Sequence, residues 1–377
     1  MPVYLKAEPV ESEPTKTTCT TGTCASPKDA CVDRASTSLA IGLINNMADG
    51  ALLATERQFI TLLDAASPET AIYLSFYAMP DIPHSEAGAR HIANSGYQST
   101  ESLPESQLDG LIVTGREPLT PNLSDEPYWR HFVDVLDWAR QNTLSTVWSC
   151  LAAHAAVLSM DGIRRVRNEK KQSGVFDCEH VARHPLTSGA PSRFSLPHSR
   201  WNGLPEDALK ANGYRVLTRT SAGDVDTFVK PANSLFVFFQ GHPEYEPETL
   251  LLEYRRDVGR FLRDETRAYP GMPQGYFDEE TTRALTAFQK EAEAHPSEDL
   301  IVGLNALIGG VALQPSWRPT AACIYRNWLR YISARKKVRI QARRDIEAMR
   351  SVESLLTPAA QAPSTTLTAS TSTPTIL

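Results

Sequence analysis

The sequence predicts an α/β fold with a mainly parallel sheet and helices on both faces. Its 377 residues are 41% hydrophobic and 22% charged, which is ordinary for a globular protein with a sizeable core. Through the middle of the chain, short apolar runs alternate with helical patterns, and no internal repeat occurs at a fixed period. Strands that alternate with helices form parallel sheets covered on both faces. Ligands of such sheets bind beyond the carboxyl ends of the strands, so functional residues are expected there.

Each predicted element follows from the spacing of its apolar residues. A nearly continuous apolar run predicts a buried strand, and apolar residues at every third or fourth position predict a helix with one buried face. In chain order, we predict strand 39–47, helix 52–66, strand 70–79, strand 108–115, helix 126–142, strand 144–150 with a helix directly after it, strand 234–245 and helix 248–264.

Both ends of the chain differ in composition from this region. Residues 1–36 and 356–377 are polar and rich in Thr, Ser and Pro, so they cannot build a core and we expect them to be disordered. A basic, helix-like pattern covers 324–350. The expected organisation is a leader at 1–36, an α/β domain at 37–265, a mainly helical extension at 266–355 and a tail at 356–377.

Composition and charge exclude several classes of function. The net charge of −6 gives no overall basic field for nucleic acid, and the longest apolar runs are too short to span a bilayer. The N-terminus lacks the basic start and apolar segment of a secretory signal. We therefore expect a cytoplasmic protein without nucleic-acid or membrane partners. The basic region 324–350 is interpreted as a solvated face, with contact to a polyanion or a protein partner as the alternative.

Three of the six cysteines, Cys19, Cys24 and Cys31, lie in the leader. Six cysteines in a chain of this length are too few for a disulfide scaffold. A metal site in the leader would need a fourth ligand and tighter spacing. We interpret these thiols as incidental and expect no metal site.

Cys150 stands where a predicted buried strand turns into a helix. Unpaired N–H groups and the helix dipole at a helix N-terminus favour an anion, so a thiol placed there tends toward the reactive thiolate. The N–H of Leu151 could then hold the oxyanion that forms when the thiolate attacks a carbonyl. This is the pattern of a nucleophile elbow with Cys in place of Ser. A buried structural cysteine is the alternative interpretation of this stretch.

His242 and Glu244 follow a second buried strand. In an extended backbone, residues i and i+2 point to the same side, so Glu244 can hold the imidazole of His242 in the tautomer that accepts the thiol proton. Gly241 permits a tight turn, and Pro243 stiffens the spacer between the two side chains. His154 is the alternative base, because it lies one helical turn after Cys150.

Gly115 and Arg116 follow a third buried strand, within 111–119. A glycine directly after a strand lets a backbone amide approach a ligand closely. Both residues are candidates for a second oxyanion donor. A simple tight turn is the alternative.

Taken together, these motifs resemble the homoserine O-acyltransferases of the methionine pathway, usually classed as homoserine O-succinyltransferases. The resemblance covers about residues 38–265, and its specificity lies in the order and spacing of five separate segments. It implies a class I glutamine-amidotransferase-like fold. The segments are "DGLIVTG…EPYW" (109–129), "STVWSCLAAHAAVL" (145–158), "EKKQSGVF" (169–176), "PHSRW" (197–201) and "GHPEYEPETLLLEYRRD" (241–257).

The resemblance also implies roles for individual residues. It matches Cys150 with the acyl-accepting nucleophile and His242 and Glu244 with the rest of a catalytic triad. Arg256 matches the arginine that binds the substrate carboxylate, a task suited to a guanidinium fork. Lys171 and Ser199 match positions that line the substrate pocket.

Two departures from the family pattern concern the oxyanion and the acyl donor. The segment 44–58 lacks the lysine pair that the family commonly has there, which leaves the oxyanion to backbone N–H groups and Arg116. Leu119 occupies the position that the family uses to select a succinyl or an acetyl group. The acyl donor is therefore open between succinyl-CoA and acetyl-CoA.

The activity implied by the resemblance is ping-pong transfer of an acyl group, most simply succinyl, from acyl-CoA to the hydroxyl of L-homoserine. Acyl-CoA is a co-substrate, no cofactor or metal is implied, and the family suggests a homodimer. Serine as acceptor is one alternative. A glutaminase or hydrolase of the same fold is another, although glycines usually flank the cysteine in glutaminases and none do here. A non-catalytic binding protein would predict a damaged triad, whereas all three members are present.

Overall fold

The computed structural model of the protein describes residues 3–5 and 38–356, with side chains described up to residue 350. The chain divides into two compact units, residues 1–336 and residues 337–377. The domain boundaries given above stay predictions. Most of the predicted leader and the tail beyond residue 356 lie outside the described residues, as do Cys19, Cys24 and Cys31.

The described strands form two sheets. One has nine strands in the order β1-β3-β2-β5-β6-β12-β11-β9, with β4 beside β3, and the other has three in the order β10-β7-β8. In chain order the strands are β1 (Val3–Leu5), β2 (Ser38–Ile44), β3 (Ala71–Ala78), β4 (Gln98–Ser99), β5 (Gly110–Val113), β6 (Ser145–Ser149), β7 (Val166–His180), β8 (Arg193–Gly203), β9 (Arg215–Val216), β10 (Thr218–Thr220), β11 (Thr227–Lys230) and β12 (Leu235–Phe239).

The centre of the large sheet is parallel, as predicted. Strand β6 pairs in parallel with β5 on one side and with β12 on the other, so that Ser145 lies opposite both Gly110 and Leu235. Every residue of these three strands is buried, which explains their continuous apolar runs. Strands β11 and β9 complete the sheet in antiparallel orientation. The carboxyl ends of β5, β6 and β12 therefore lie side by side at one edge.

Helices cover both faces of this sheet, which confirms the predicted α/β class. Helices α3 and α4 pack on one face through residues such as Phe132 and Ala152, and α1 packs on the other through Phe59. In the described residues, none of the helices combines the length and apolarity needed to cross a membrane. The helices are α1 (Leu52–Ala66), α2 (Glu86–Asn94), α3 (Trp129–Asn142), α4 (Leu151–Asp161), α5 (Glu206–Ala211), α6 (Thr249–Leu262), α7 (Glu279–Ala294), α8 (Leu300–Ile308) and α9 (Arg318–Leu356).

The first part of α9 belongs to the core of the large sheet. Trp328 is buried against the face that α1 also covers, and its indole N–H donates to Ser145 Oγ at 2.9 Å. Helices α6, α7 and α8 pack together around a separate apolar cluster that includes Tyr254, Leu285 and Leu304. The helical character expected for 266–355 is therefore present, and part of it supports β6 directly.

Two parts of the structure differ from the sequence expectations. Val3–Leu5, inside the expected leader, form an edge strand in parallel pairing with Ile72–Leu74, because β3 supplies hydrogen-bond partners that local sequence does not reveal. The long hairpin of β7 and β8 was not predicted at all. Its strands are half-exposed, and β7 opens with a charged stretch rather than an apolar run.

Candidate active site

Cys150 occupies a strained turn between β6 and α4. Its backbone has φ 49° and ψ −110°, a positive φ that is uncommon for any residue other than glycine. Its N–H donates to the carbonyl of Phe239 at 2.8 Å, and its own carbonyl accepts from the N–H of Ala153 at 3.0 Å. The side chain is partly exposed. The thiol therefore stands out of the sheet at the first turn of α4, which is the geometry of an elbow.

Gly115 packs directly against this turn. A Cβ atom at position 115 would lie 2.6 Å from Leu151 Cβ and 2.7 Å from Leu151 N, closer than real Cβ contacts. Only glycine lets the end of β5 approach the N-terminus of α4 in this way. The structure thus brings together the two backbone segments from which an oxyanion hole was predicted.

Arg116, the third oxyanion candidate, has a partly buried side chain with unusual features. Its Nε and Nη1 atoms are buried without a hydrogen-bond partner among the described residues. The side chain lines a small pocket with Gly115 and Leu151, and with Leu119 it also lines an open cleft of about 440 Å³. Buried guanidinium nitrogens without partners are costly, so this position favours an anionic group close to the elbow.

His242 and Glu244 meet as predicted, but through a different backbone geometry. Imidazole Nδ1 lies 2.8 Å from Glu244 Oε1, and both side chains are buried. The same carboxylate oxygen accepts from Ser149 Oγ at 3.2 Å. Strand β12 ends at Phe239, so the predicted strand 234–245 is too long. The pair lies in a turn that Tyr245 N–H closes onto the carbonyl of His242 at 3.2 Å.

The imidazole of His242 lies between a thiol and a carboxylate. Burial by itself lowers the pKa of His242, but the charges of Cys150 and Glu244 and hydrogen bonds to both outweigh it, and the pKa of His242 is raised well above its usual value. The backbone N–H of His242 donates to the carbonyl of Pro197 at 2.7 Å, and this bond holds the His242 loop in place. The imidazole is therefore bonded to the carboxylate and lies within electrostatic range of the sulfur.

Tyr245 supports the imidazole from the other side. Its ring stacks on His242 with centroids 4.1 Å apart, and its hydroxyl donates to Glu253 Oε1 at 2.6 Å. Ser199 Oγ donates to the second oxygen of the same carboxylate. The carbonyl of Tyr245 accepts from the indole N–H of Trp317 at 2.9 Å. Neither Tyr245, Glu253 nor Trp317 was singled out from the sequence.

The predicted substrate-binding residues gather around α6. Lys171 Nζ lies 2.7 Å from Asp257 Oδ2, and Arg256 Nε donates to Asp257 Oδ1 at 2.9 Å. The side chain of Arg256 remains about half exposed. Through Glu253, Ser199 joins the same helix face. On α6, Glu253 lies three residues before Arg256, and Asp257 lies four residues after Glu253. This helical spacing was the signal available in the sequence for both carboxylates.

His154 takes a different place from that of a base. It is buried, its Nε2 lies 2.9 Å from Gln240 Oε1, and burial lowers its pKa to about 3. A histidine held neutral in the core and bonded to an amide is a structural group. The geometry therefore favours His242 over His154 as the base.

A second buried histidine–carboxylate pair lies beneath the His242 loop. His198 Nε2 is 3.3 Å from Asp226 Oδ1, and the Cys178 thiol is close to both. Arg200 Nε donates to His198 Nδ1 at 3.2 Å, so the proton of the neutral ring is on Nε2 and faces the carboxylate. A Cβ on Gly241 would lie 2.9 Å from both partners. The His198–Asp226 pair therefore packs directly against the His242 loop at Gly241.

A mainly parallel sheet with a cysteine elbow beside a buried histidine–carboxylate pair is typical of a class of α/β enzymes that use a thiol nucleophile. Within this class, the chain belongs to the homoserine O-succinyltransferase family, a family of acyltransferases. The family model described as homoserine O-succinyltransferase matches residues 16–303. This confirms the resemblance inferred from the five sequence segments.

Several curated relatives carry the same name. A homoserine O-succinyltransferase of Rhodopseudomonas palustris is 45% identical over 327 residues, which cover 87% of this chain and 97% of the relative. Those of Methylorubrum extorquens and Bradyrhizobium japonicum are each 42% identical, over 79% and 78% of this chain and 88% and 90% of theirs. Among solved structures, a glutamine amidotransferase of Thermotoga maritima aligns with 78% of this chain and 98% of its own at 10% identity and a TM-score of 0.44.

Proposed function

We propose that this protein transfers the succinyl group of succinyl-CoA to the hydroxyl of L-homoserine, a step of methionine biosynthesis. Family membership supports the reaction class, and the relatives' names supply the donor group and the acceptor. The observation that supports the mechanism is the placement of His242 at the carboxyl edge of the sheet, bonded to Glu244 and close enough to Cys150 for the thiolate charge to raise the pKa of its imidazole.

In the first half-reaction, the Cys150 thiolate attacks the thioester carbonyl of succinyl-CoA. The oxyanion that forms is held by N–H groups at Leu151 and Gly115 and by the Arg116 guanidinium. Collapse of this intermediate breaks the bond to the CoA sulfur, and His242 returns a proton to the departing thiolate. The products are free CoA and a succinyl–cysteine thioester on the protein.

In the second half-reaction, the hydroxyl of homoserine attacks the acyl-enzyme. His242 removes the hydroxyl proton, and Glu244 holds Nδ1 so that Nε2 faces the reacting atoms. Collapse of the second intermediate releases the O-acyl product and restores the Cys150 thiolate. A raised pKa suits His242 to this cycle, because the imidazole accepts a proton and then keeps it beside a thiolate.

The acceptor is proposed to bind along α6. The half-exposed guanidinium of Arg256 fits the acceptor carboxylate, and Lys171 and Ser199 line the same pocket. These residues adjoin the His242 loop through the contacts of Tyr245 with Glu253. The acceptor hydroxyl is thereby brought to the side of the imidazole rather than to the cleft near Arg116.

Mass spectrometry of the acylated protein tests the proposal. Succinyl-CoA without acceptor should add one succinyl group to the peptide that contains Cys150, and L-homoserine should then remove it. Cys323→Ala is the control that keeps the label, because Cys323 lies in α9, and Cys150→Ala should remove it. Faster labelling by acetyl-CoA would replace succinyl-CoA as the proposed donor. Faster discharge by serine would replace homoserine as the proposed acceptor. Release of ammonia from glutamine without any acylation would replace the proposal by a glutaminase.

We also propose that the protein acts in the cytoplasm and forms a homodimer. The location rests on the substrates, which are metabolites of biosynthesis. Light scattering of the purified protein measures the oligomeric state. A mass of one chain over the working concentration range would contradict the dimer.

A further inference from the structure

The stretch 164–171, named here the basic ribbon, concentrates positive charge at the start of β7. It carries five cationic side chains and one carboxylate in a chain whose net charge is −6. Two cations have polar partners: Arg165 donates to the carbonyl of Pro121, and Lys171 pairs with Asp257. Arg164, Arg167 and Lys170 are exposed and form no ion pair within the part of the chain that the structure describes.

Trp201 lies across from the basic ribbon on β8. Pairing of β7 with β8 is interrupted between Arg167 and Gln172, so that four ribbon residues bulge opposite Trp201. The guanidinium carbon of Arg167 lies 4.6 Å from the centre of the indole ring. Trp201 is nevertheless 45% exposed. The hairpin therefore presents exposed cations and a half-exposed indole at one place. Bulges often re-aim side chains beside active sites.

The basic ribbon connects to the active site through its own charges. Burial lowers the pKa of Arg165. The charges of Cys150 and Arg167 are close enough to shift the pKa of Arg165 as well. At the other end, Lys171 shares Asp257 with Arg256. The ribbon therefore shares a carboxylate with Arg256 through Lys171, and Arg165 lies within electrostatic range of the thiol.

We propose that the basic ribbon and Trp201 bind the nucleotide end of acyl-CoA. The Arg164 and Arg167 guanidinium groups and the Lys170 ammonium group pair with the pyrophosphate and the 3′-phosphate, and adenine stacks on the exposed part of the indole. This assignment rests on the proposed acyl-CoA donor and extends it to a site that lies beyond the reacting atoms. Guanidinium and ammonium side chains are groups that pair well with phosphates. Base stacking on an aromatic ring needs no fixed hydrogen-bond pattern, which suits an open hairpin surface.

Three donors of decreasing size separate nucleotide binding from chemistry. They are succinyl-CoA, its 3′-dephospho analogue and the succinyl thioester of N-acetylcysteamine, which lacks the nucleotide. For the double variant Arg167→Ala/Lys170→Ala, we expect the KM for succinyl-CoA to rise roughly tenfold, with a smaller rise for the dephospho donor. Trp201→Ala should raise both values about tenfold, because both donors keep adenine. Neither variant should alter kcat/KM for the truncated thioester.

Lys290→Ala is the matched control, since Lys290 is an exposed cation on α7, and its KM for succinyl-CoA should equal the parent's. Equal losses with all three donors would overturn the assignment, as would unchanged KM values in both ribbon variants. Calorimetric titration of CoA itself is read separately, because it needs no turnover. Tight CoA binding that the ribbon variants weaken would support the site even if succinyl transfer to homoserine failed. CoA binding that is equal in parent and variants would refute the site even if transfer succeeded.

Discussion

The backbone N–H of Cys150 donates to the carbonyl of Phe239 across 2.8 Å, and this bond joins the two strand ends on which the candidate site depends. One strand ends in the thiol, and the other leads into the loop of His242. Since β6 and β12 are paired in parallel and in register, their carboxyl ends lie at the same level. Sheet register therefore places Cys150 beside the start of the His242 loop.

Gly115→Ala should damage both folding and catalysis. The added Cβ would press on the first turn of α4, so we expect a loss of about 1–3 kcal/mol in the free energy of unfolding. Displacement of the elbow should reduce kcat on the order of 100-fold. Urea denaturation and acyl-transfer assays measure the two effects. Gly50→Ala is the control with open space around its Cβ, and parent-like behaviour of Gly115→Ala would contradict the close approach of β5 to α4.

Removal of the thiol should lower the pKa of His242. In the Cys150→Ala variant, burial still favours the neutral ring, whereas the opposing charge and hydrogen bond of Cys150 are lost. Titration of isotope-labelled histidines by NMR follows the ring directly. Cys323→Ala should leave its titration unchanged. An identical His242 titration in the Cys150→Ala protein would separate imidazole from sulfur and remove the basis of the mechanism.

The same raised pKa makes a contribution to stability that depends on pH. Because the folded pKa of His242 lies above its unfolded value near 6.5, the contribution is complete below about pH 6.5 and is lost as the pH rises through the folded value. Glu244→Gln removes one of the two charges that hold the proton and should reduce this loss. Unfolding free energies of parent and variant, measured across that range, should converge at high pH. A constant difference between them would refute the coupling.

His154 should make the protein less stable in acid. Its folded pKa of about 3 lies below the unfolded value, so the unfolded chain binds an extra proton between about pH 6.5 and pH 3. Stability should fall with a slope of at most about 1.4 kcal/mol per pH unit from this group alone. The difference between parent and His154→Gln isolates it. The exposed His295→Gln serves as the control that keeps the slope, and a parent-like slope in His154→Gln would contradict the neutral buried ring.

Arg116→Ala should slow acylation by succinyl-CoA and by acetyl-CoA alike. Loss of one oxyanion donor costs about 100- to 1000-fold in rate, and the effect does not depend on the acyl chain. Arg116→Lys keeps the charge without the planar fork and should recover part of the rate. Rapid-quench measurement of the acyl-enzyme gives the rate of this step alone. A loss confined to succinyl-CoA would instead place Arg116 at the free carboxylate of the donor.

Arg256→Ala should impair the second half-reaction more than the first. Its guanidinium is assigned to the acceptor carboxylate, so the KM for L-homoserine should rise while acylation of Cys150 continues at the parent's rate. Arg255→Ala removes the neighbouring exposed cation of α6 and should change neither. Equal effects of Arg256→Ala on both half-reactions would take this residue out of the acceptor site.

The strands of the central sheet could be predicted from the sequence alone. Strands buried on both faces read as continuous apolar runs, and helix α1 was placed at its observed bounds, Leu52–Ala66. The hairpin of β7 and β8 could not be found in this way, because its residues alternate between exposure and contact without a clear apolar pattern. Strand β1 depends on a partner more than 60 residues away. Elements defined by distant pairing are invisible to a local pattern.

The candidate site likewise contains some residues that the sequence indicated and others that only the structure reveals. Cys150, His242 and Glu244 follow strand ends, where topology predicts convergence, and the structure places them together. Tyr245, Glu253 and Trp317 act through stacking and hydrogen bonds that only the folded chain creates. Arg256 would have remained an ordinary surface charge without the family resemblance. Position at a strand end therefore identified site residues in the sequence. The sequence did not reveal which residues would contact them.

The indole of Trp317 lies 72 residues further along the chain than the carbonyl it holds at Tyr245. During translation, the loop with His242 leaves the ribosome well before this anchor has been synthesised. A nascent chain can therefore bring sulfur and imidazole into one domain while the loop still lacks its last fixed point. The His242 loop therefore gains this fixed point only after Trp317 has been synthesised.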